Sequence, residues 1–296
     1  MTQSIRLRAF AKINTGLKIL GRRADGYHEL RTVYQTVALH DSLAISLVSK
    51  PGIEIECSDT SLPLGRRNLV HRACQLWKKT RKFKGGFRVE IRKSIPIGGG
   101  LGGGSSDAAA TLLGLERLTG YEADSHPMFR LAAILGSDVP LFLMGGRVLG
   151  CGRGEEVYPL ADLPRRHCLV VHPGFSISTP EAFRELDLRL TISSEASKIN
   201  AFGVWSQFPL QGWGPAENDF ERVVFAKWPE LERIKDQFIR AGAEIASLTG
   251  SGSAIYAIFV SARQLIQAAK SVPREWSVFR THTLSRAEYQ RRVFDI

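Results

Sequence analysis

Residues 96–110 read PIGGGLGGGSSDAAA, and between Gly98 and Gly104 only Leu101 carries a side chain. The run lies between FRVEIRKSIP (87–96), which alternates like a strand, and SSDAAATLLGLERLTG (105–120), whose apolar residues recur at helical spacing. A flexible linker would need slack on both sides, and none is present here. A Walker A loop needs lysine before its Ser/Thr, and Gly104 stands in that place. Gly98, Gly100 and Gly103 satisfy GxGxxG, but the strand before them is studded with charge, whereas a dinucleotide-binding β1 is buried on both faces. What remains is a phosphate loop of another kind. Glycines let several backbone N–H groups converge on an anion. A helix starting near Ser105-Ser106-Asp107 points its positive end at the same spot, and the two serines add hydroxyls.

The surroundings predict an α+β protein. IRLRAFAKIN (5–14) alternates, with Ile5, Leu7, Ala9, Ala11 and Ile13 on one face and Arg6, Arg8, Phe10, Lys12 and Asn14 on the other, which reads as a half-buried strand with Lys12 on its polar face. A turn at Asp25-Gly26 leads to a second strand, broken near His40-Asp41. Leu69, Ala73, Leu76 and Trp77 mark a helix before the strand that precedes the glycine run. After Gly120, a natural helix stop, another helix ends at Gly136-Ser137-Asp138. CLVVHP, TPEAFREL, two helices split at Trp228-Pro229, the strand–turn–strand AEIASLTGSGSAIYAIFV, a helix and a last strand follow. Residues 191–216 show little pattern. Alternating strands of this sort predict antiparallel sheets with helices on one side. The chain divides as 1–158 and 159–296.

The bulk properties narrow the function. The 296 residues are 44% hydrophobic and 23% charged, which is ordinary for a globular protein, and no apolar run is long enough to span a bilayer. Four cysteines without a CxxC pair, and seven histidines without HExxH spacing, argue against zinc and against a disulfide scaffold, and fit a cytoplasmic protein with reduced thiols. The net charge of +11 favours anionic ligands. Its spread over short clusters, with no aromatic–basic binding motif, weighs against nucleic acid.

PIGGGLGGGSSDAAA closely resembles the phosphate-loop motif of the GHMP small-molecule kinases, the superfamily of galactokinase, homoserine kinase and mevalonate kinase. AKIN with GRRADGYHEL, LGSDVPLFLMGG and LTGSGSAIYAIF are more similar to one family within it, the 4-diphosphocytidyl-2-C-methyl-D-erythritol kinases. The resemblance runs in order from residue 11 to about 260. It implies an N-terminal domain of the ribosomal S5 domain 2 type with a left-handed βαβ crossover, and a ferredoxin-like C-terminal domain. It implies ATP and Mg²⁺ as cofactors, with no nucleic acid or membrane partner, in a monomer or homodimer.

Residue by residue, the resemblance implies that Lys12 and Asp138 are catalytic. Asp138 alone also reads as a helix N-cap. ATP would be held by Pro96, Gly98, Gly99, Gly100, Leu101, Gly102, Gly103, Gly104, Ser105 and Ser106, with Mg²⁺ reaching Ser105 or Ser106 and having no dedicated protein site. Asn68 is either a helix cap or an adenine-site residue. Asn14, Tyr27 and His28 would hold the acceptor, the last two gripping its cytosine. Thr179 and Phe183 are weaker members of that pocket. Ser251 and Gly252 form either a plain turn or a loop that closes over substrate. Thr15-Gly16, Ser137, Ser253 and Ala254 depart from the usual family pattern without removing a chemical group. The rivals are another GHMP kinase acting on homoserine or mevalonate, a nucleic-acid-binding protein, and a kinase relative without catalysis.

Overall fold

The computed structural model describes residues 3–121, 125–189, 212–213 and 217–294, so most of the unpatterned 191–216 stretch lies outside the described residues. The first half is β1 (Ser4–Arg22), β2 (His28–Val48), β3 (Ile53–Cys57), α1 (Leu69–Arg81), β4 (Gly86–Arg92), α2 (Gly103–Thr119), α3 (Ser125–Leu135), α4 (Val139–Met144), β5 (Arg147–Cys151) and β6 (Glu156–Pro159). The second is β7 (His167–His172), α5 (Thr179–Arg189), α6 (Glu221–Lys227), α7 (Pro229–Arg240), β8 (Ile245–Leu248), β9 (Ile255–Phe259), α8 (Ala262–Ala269), β10 (Ser277–His282) and α9 (Arg286–Val293).

Strands β1 to β6 form one sheet, antiparallel except for the parallel pair β3–β4 that flanks α1. Strands β7 to β10 form a second, antiparallel sheet in the order β10-β7-β9-β8, the ferredoxin-like arrangement. The last helix returns to the first half, where Tyr289 and Val293 join the core of Leu7, Phe10 and Trp77.

The first strand departs from expectation. The later part of its polar face is buried: Phe10, Lys12 and Asn14 are all covered, while Arg6 is exposed and Arg8 half-buried. Phe10 packs its ring against Tyr289 of α9, with ring centres 5.4 Å apart. Asn14 is covered by the 249–253 loop. Period-two alternation identifies a strand, but it cannot say what another part of the chain lays over the polar face. This strand also threads the whole molecule. Leu7 and Phe10 belong to the first core, Ala11 and Ile13 to a middle cluster with Val170 and Tyr256, and Leu17 and Ile19 to the core of the second half. Lys12 and Asn14 therefore sit where the two halves meet.

Two other boundaries moved. Strand β2 is continuous through His40-Asp41, where the sequence suggests a break. The pairing instead slips between Phe10/His40 and Ala11/Val37, a bulge. Helix α2 begins at Gly103, two residues before the serines, because Gly102 takes the left-handed conformation (φ 72°) at its N-cap.

Candidate active site

Two cavities meet at the glycine run. The smaller, about 340 Å³, is lined by Asn68, Lys93, Pro96, residues 98 to 104, Ser105 and Asp107. The larger, about 800 Å³, is lined by Lys12, Asn14, Tyr27, His28, Thr32, Tyr34, Asp138, Arg153, Thr179, Phe183, Asp187, Gly250 and Ser251, among others. Gly100 and Gly102 border both.

The loop between the cavities is pinned by its carbonyls. Gly99 O accepts from Ala254 N (3.2 Å), Gly100 O from Thr249 Oγ1 (3.1 Å), Leu101 O from Lys12 N (3.0 Å) and Gly102 O from Ser106 N (2.8 Å). Among the described residues, no protein acceptor takes the N–H groups of Gly98 to Gly102. The first N–H groups of α2 are unpaired by helix geometry. The carbonyls of Gly99 to Gly102 are thus satisfied while the N–H groups of the run stay open donors, the electrostatic requirement of an anion cradle. Glycine at position 100 is obligatory: φ is +76°, and a Cβ there would lie 2.0 Å from Thr249 O.

Helices α1 and α2 form the walls of this cleft. They are locked by Glu116, which accepts from Trp77 Nε1 and takes both Arg81 Nε and an Arg81 terminal nitrogen at 3.0 Å. Asn68 caps α1: its Oδ1 accepts from Val70 N (2.8 Å) while its amide donates to Pro63 O (2.8 Å). It also lines the cleft, so the capping role holds without excluding contact with a ligand. Ser105 faces the cleft, whereas Ser106 is buried with its hydroxyl unpartnered and lines neither cavity. Below the loop, Lys93 bridges Asp107 (2.8 Å) and Asp41. Burial pushes the Asp107 carboxyl up, Lys93 opposes that shift and Asp41 adds to it.

In the larger cavity Lys12 is 3% exposed. Its Nζ donates to Asn14 Oδ1 (2.7 Å) and lies 3.5 Å from Asp138 Oδ2. Burial lowers the pKa of Lys12, and Asp138 offsets part of that. Asp138 stands at the N-cap of α4 yet makes no capping bond with its side chain. Its Oδ1 instead accepts from Tyr34 OH (3.0 Å). Asn14 anchors the loop across the cavity: Gly250 N and Thr249 Oγ1 donate to its Oδ1 at 2.9 and 3.3 Å, and its own amide donates to Thr32 Oγ1 (2.7 Å). A buried ammonium beside a half-open carboxylate, opening towards a row of amide donors, can hold a hydroxyl, remove its proton and stabilise the oxyanion.

The far end of the cavity is aromatic. His28 stacks on Phe183 (4.3 Å, 9° between planes) and binds Asp187 through Nε2 (2.8 Å). Tyr27 is 55% exposed at the rim, with the Arg153 guanidinium 4.6 Å from its ring centre. Thr179 and Ser251 share a hydrogen bond of 2.7 Å. Gly252 lines neither cavity and turns towards Leu248 and Ile177.

Sequence reasoning missed Tyr34, Thr32, Lys93, Arg153 and Asp187. Tyr34 and Thr32 share a face of β2 with nothing local to mark them. Asp187 follows Phe183 by four residues on α5, and that spacing was the one available signal.

The domain family described as "GHMP kinases N terminal domain" matches residues 68–146, and "GHMP kinases C terminal" matches 210–278. Over 295 residues the chain is 41% identical to a 4-diphosphocytidyl-2-C-methyl-D-erythritol kinase of Solibacter usitatus, covering 98% of this chain and 92% of that one. A crystal structure of 4-(cytidine 5'-diphospho)-2C-methyl-D-erythritol kinase superposes with a TM-score of 0.76 at 33% identity, over 94% of this chain and 99% of that one. A homoserine kinase from Cytophaga hutchinsonii gives 0.74 at 20% identity, over 96% of both chains, a likeness of fold alone.

Proposed function

We propose, since the chain belongs to the 4-diphosphocytidyl-2-C-methyl-D-erythritol kinase family of the GHMP kinases, that it transfers the γ-phosphoryl group of ATP to the 2-hydroxyl of 4-diphosphocytidyl-2-C-methyl-D-erythritol. This is a step of the non-mevalonate route to isoprenoid precursors. The observation that carries the reading is the meeting of the two cavities at Gly100 and Gly102, with Lys12 and Asp138 on the acceptor side.

ATP lies in the smaller cleft with its phosphates on the open N–H row of 98–104 and the N-terminus of α2. Ser105 is the hydroxyl that fits Mg²⁺ carried in with the nucleotide. Among the described residues no cluster of three or more His, Cys, Asp or Glu forms a separate metal site. The cation, when bound, neutralises charge on the phosphoryl oxygens. Asp138 accepts the 2-hydroxyl proton as that oxygen bonds to the γ-phosphorus and the bond to ADP breaks. Lys12, held by Asn14, stabilises the oxygen as charge develops on it. Tyr34 orients the Asp138 carboxylate. Tyr27 and His28 hold the cytosine, with Thr179, Phe183 and Ser251 beside them. The division at residues 158/159 places nucleotide binding in the first half and part of the acceptor pocket in the second. The described helices include none long and apolar enough to cross a membrane.

The test is ADP formation by the purified protein with ATP, Mg²⁺ and the cytidine acceptor, beside the same assay with homoserine and mevalonate. Turnover with the cytidine acceptor alone is expected. Turnover only with homoserine or mevalonate would keep the kinase and overturn the substrate.

A further inference from the structure

We infer that Asp187 is a positioning residue that fixes the tautomer of His28, so that the ring's Nδ1 meets the acceptor's base as a hydrogen-bond acceptor. The pocket then selects a pyrimidine with a 4-amino group over one with a 4-oxo group. The inference rests on the reading in which the acceptor carries a cytidine.

Helix α5 supplies two groups to one imidazole. Phe183 and Asp187 are four residues apart, so they lie on the same helix face. The Phe183 ring lies flat on His28, 4.3 Å away, and is backed edge-on by Phe220 at 4.8 Å. The Asp187 carboxylate reaches His28 Nε2 at 2.8 Å. The first contact sets the plane of the imidazole and the second its rotation within that plane. An ionised carboxylate only accepts hydrogen bonds, so Nε2 carries the proton of this bond. In the neutral ring Nδ1 is then a bare acceptor. Among the described residues no protein group hydrogen-bonds that nitrogen. His28 and Asp187 both line the acceptor cavity.

Cytosine presents a 4-amino donor on its pairing edge, where uracil presents a 4-oxo acceptor. A fixed acceptor at Nδ1 pairs with the first and opposes the second. Without Asp187 the imidazole exchanges tautomers, and a ring protonated on Nδ1 serves uracil instead.

Two measurements on the full chain test this. The first compares kcat and KM of the parent and Asp187→Ala with the cytidine acceptor and its uridine counterpart. Asp187 is 34% exposed on the helix surface, so the variant should keep its fold. The expected result is a several-fold rise in KM for the cytidine acceptor, since the ring keeps its bond to the base but loses its fixed tautomer and rotation, with kcat retained. KM for the uridine acceptor should fall, because the ring protonated on Nδ1 then becomes available to it, so the cytidine preference falls roughly tenfold. An equal change for both acceptors, or a loss confined to kcat, overturns the proposal. The second is ¹⁵N NMR of the free protein at about pH 8, above the ordinary histidine range, with His28 identified by its loss in His28→Gln. A proton on Nε2 alone in the parent, and a mixture of tautomers in Asp187→Ala, is expected. A parent His28 protonated on Nδ1 overturns the proposal. A parent that phosphorylates neither acceptor overturns the function and the selectivity with it, while the spectrum still decides whether Asp187 holds the tautomer.

Discussion

The two cavities are built from opposite materials. The smaller cleft, proposed for the nucleotide, takes half of its lining from one continuous run, residues 96 to 105, whose unpaired amides favour an anion. The acceptor cavity is mostly side chain. Its lining comes from β1, β2, the 136–138 turn, α5 and the 249–253 loop, which are far apart in sequence. Amide donors are the same whatever the residue, so an anion cradle needs only glycine to expose them. A pocket that tells one base from another needs particular side chains at particular distances, and no single stretch of chain supplies them.

If that contrast is right, the largest losses come from single side chains in the acceptor cavity. Asp138→Asn should lower kcat by about 10³ to 10⁴ with KM for ATP little changed, as expected for a lost general base. A comparable rise in KM for ATP would mean that the two cavities are not separable. Lys12→Met should cost about 10² to 10³ in kcat. It should also leave the melting temperature little changed, because relief of the unfavourable burial of the charge offsets the lost contact with the partly exposed Asp138. A clear drop in melting temperature would make Lys12 a structural residue first.

In the cleft the position of the substitution should matter more than its type. Gly100→Ala puts a Cβ 2.0 Å from Thr249 O. It should cost about 2 to 4 kcal/mol in urea unfolding and weaken both substrates, since backbone must move. Gly104→Ala meets only Leu69 Cδ1, at 3.8 Å, within a helix. It should stabilise by about 0.5 to 1 kcal/mol and leave KM for ATP within about threefold. Equal damage at both positions would show that the cradle tolerates no side chain anywhere.

A pH dependence is also expected beneath the loop. The Asp107 carboxyl is pushed up to about 7, from 3.8, by burial. The folded state then binds more protons than the unfolded state between those values, so this group's contribution to stability is present below about pH 4 and is lost as pH rises through about 7. In Asp107→Asn that fall should be missing, and the variant should gain on the parent across the window in chemical unfolding at several pH values. A constant difference would mean that Lys93 keeps Asp107 ionised throughout.

The sequence by itself determined the elements and the phosphate loop. Alternation, helical spacing and glycine punctuation are local properties, and an anion cradle is a local structure. It also carried Lys12, Asp138, Tyr27 and His28, though only through motifs resembling those of known kinases; alone, Lys12 reads as a surface residue and Asp138 as a cap. Tertiary structure decided that Lys12 is buried, since Leu101, Gly102 and Gly250, all distant in sequence, are brought against it. It decided which serine faces the cleft, because helix α2 starts two residues early and turns Ser106 inward. It paired Tyr34 with Asp138 and His28 with Asp187. Backbone conformation depends on near neighbours and can be read from them, whereas the protonation and partners of a side chain depend on whatever the fold brings against it.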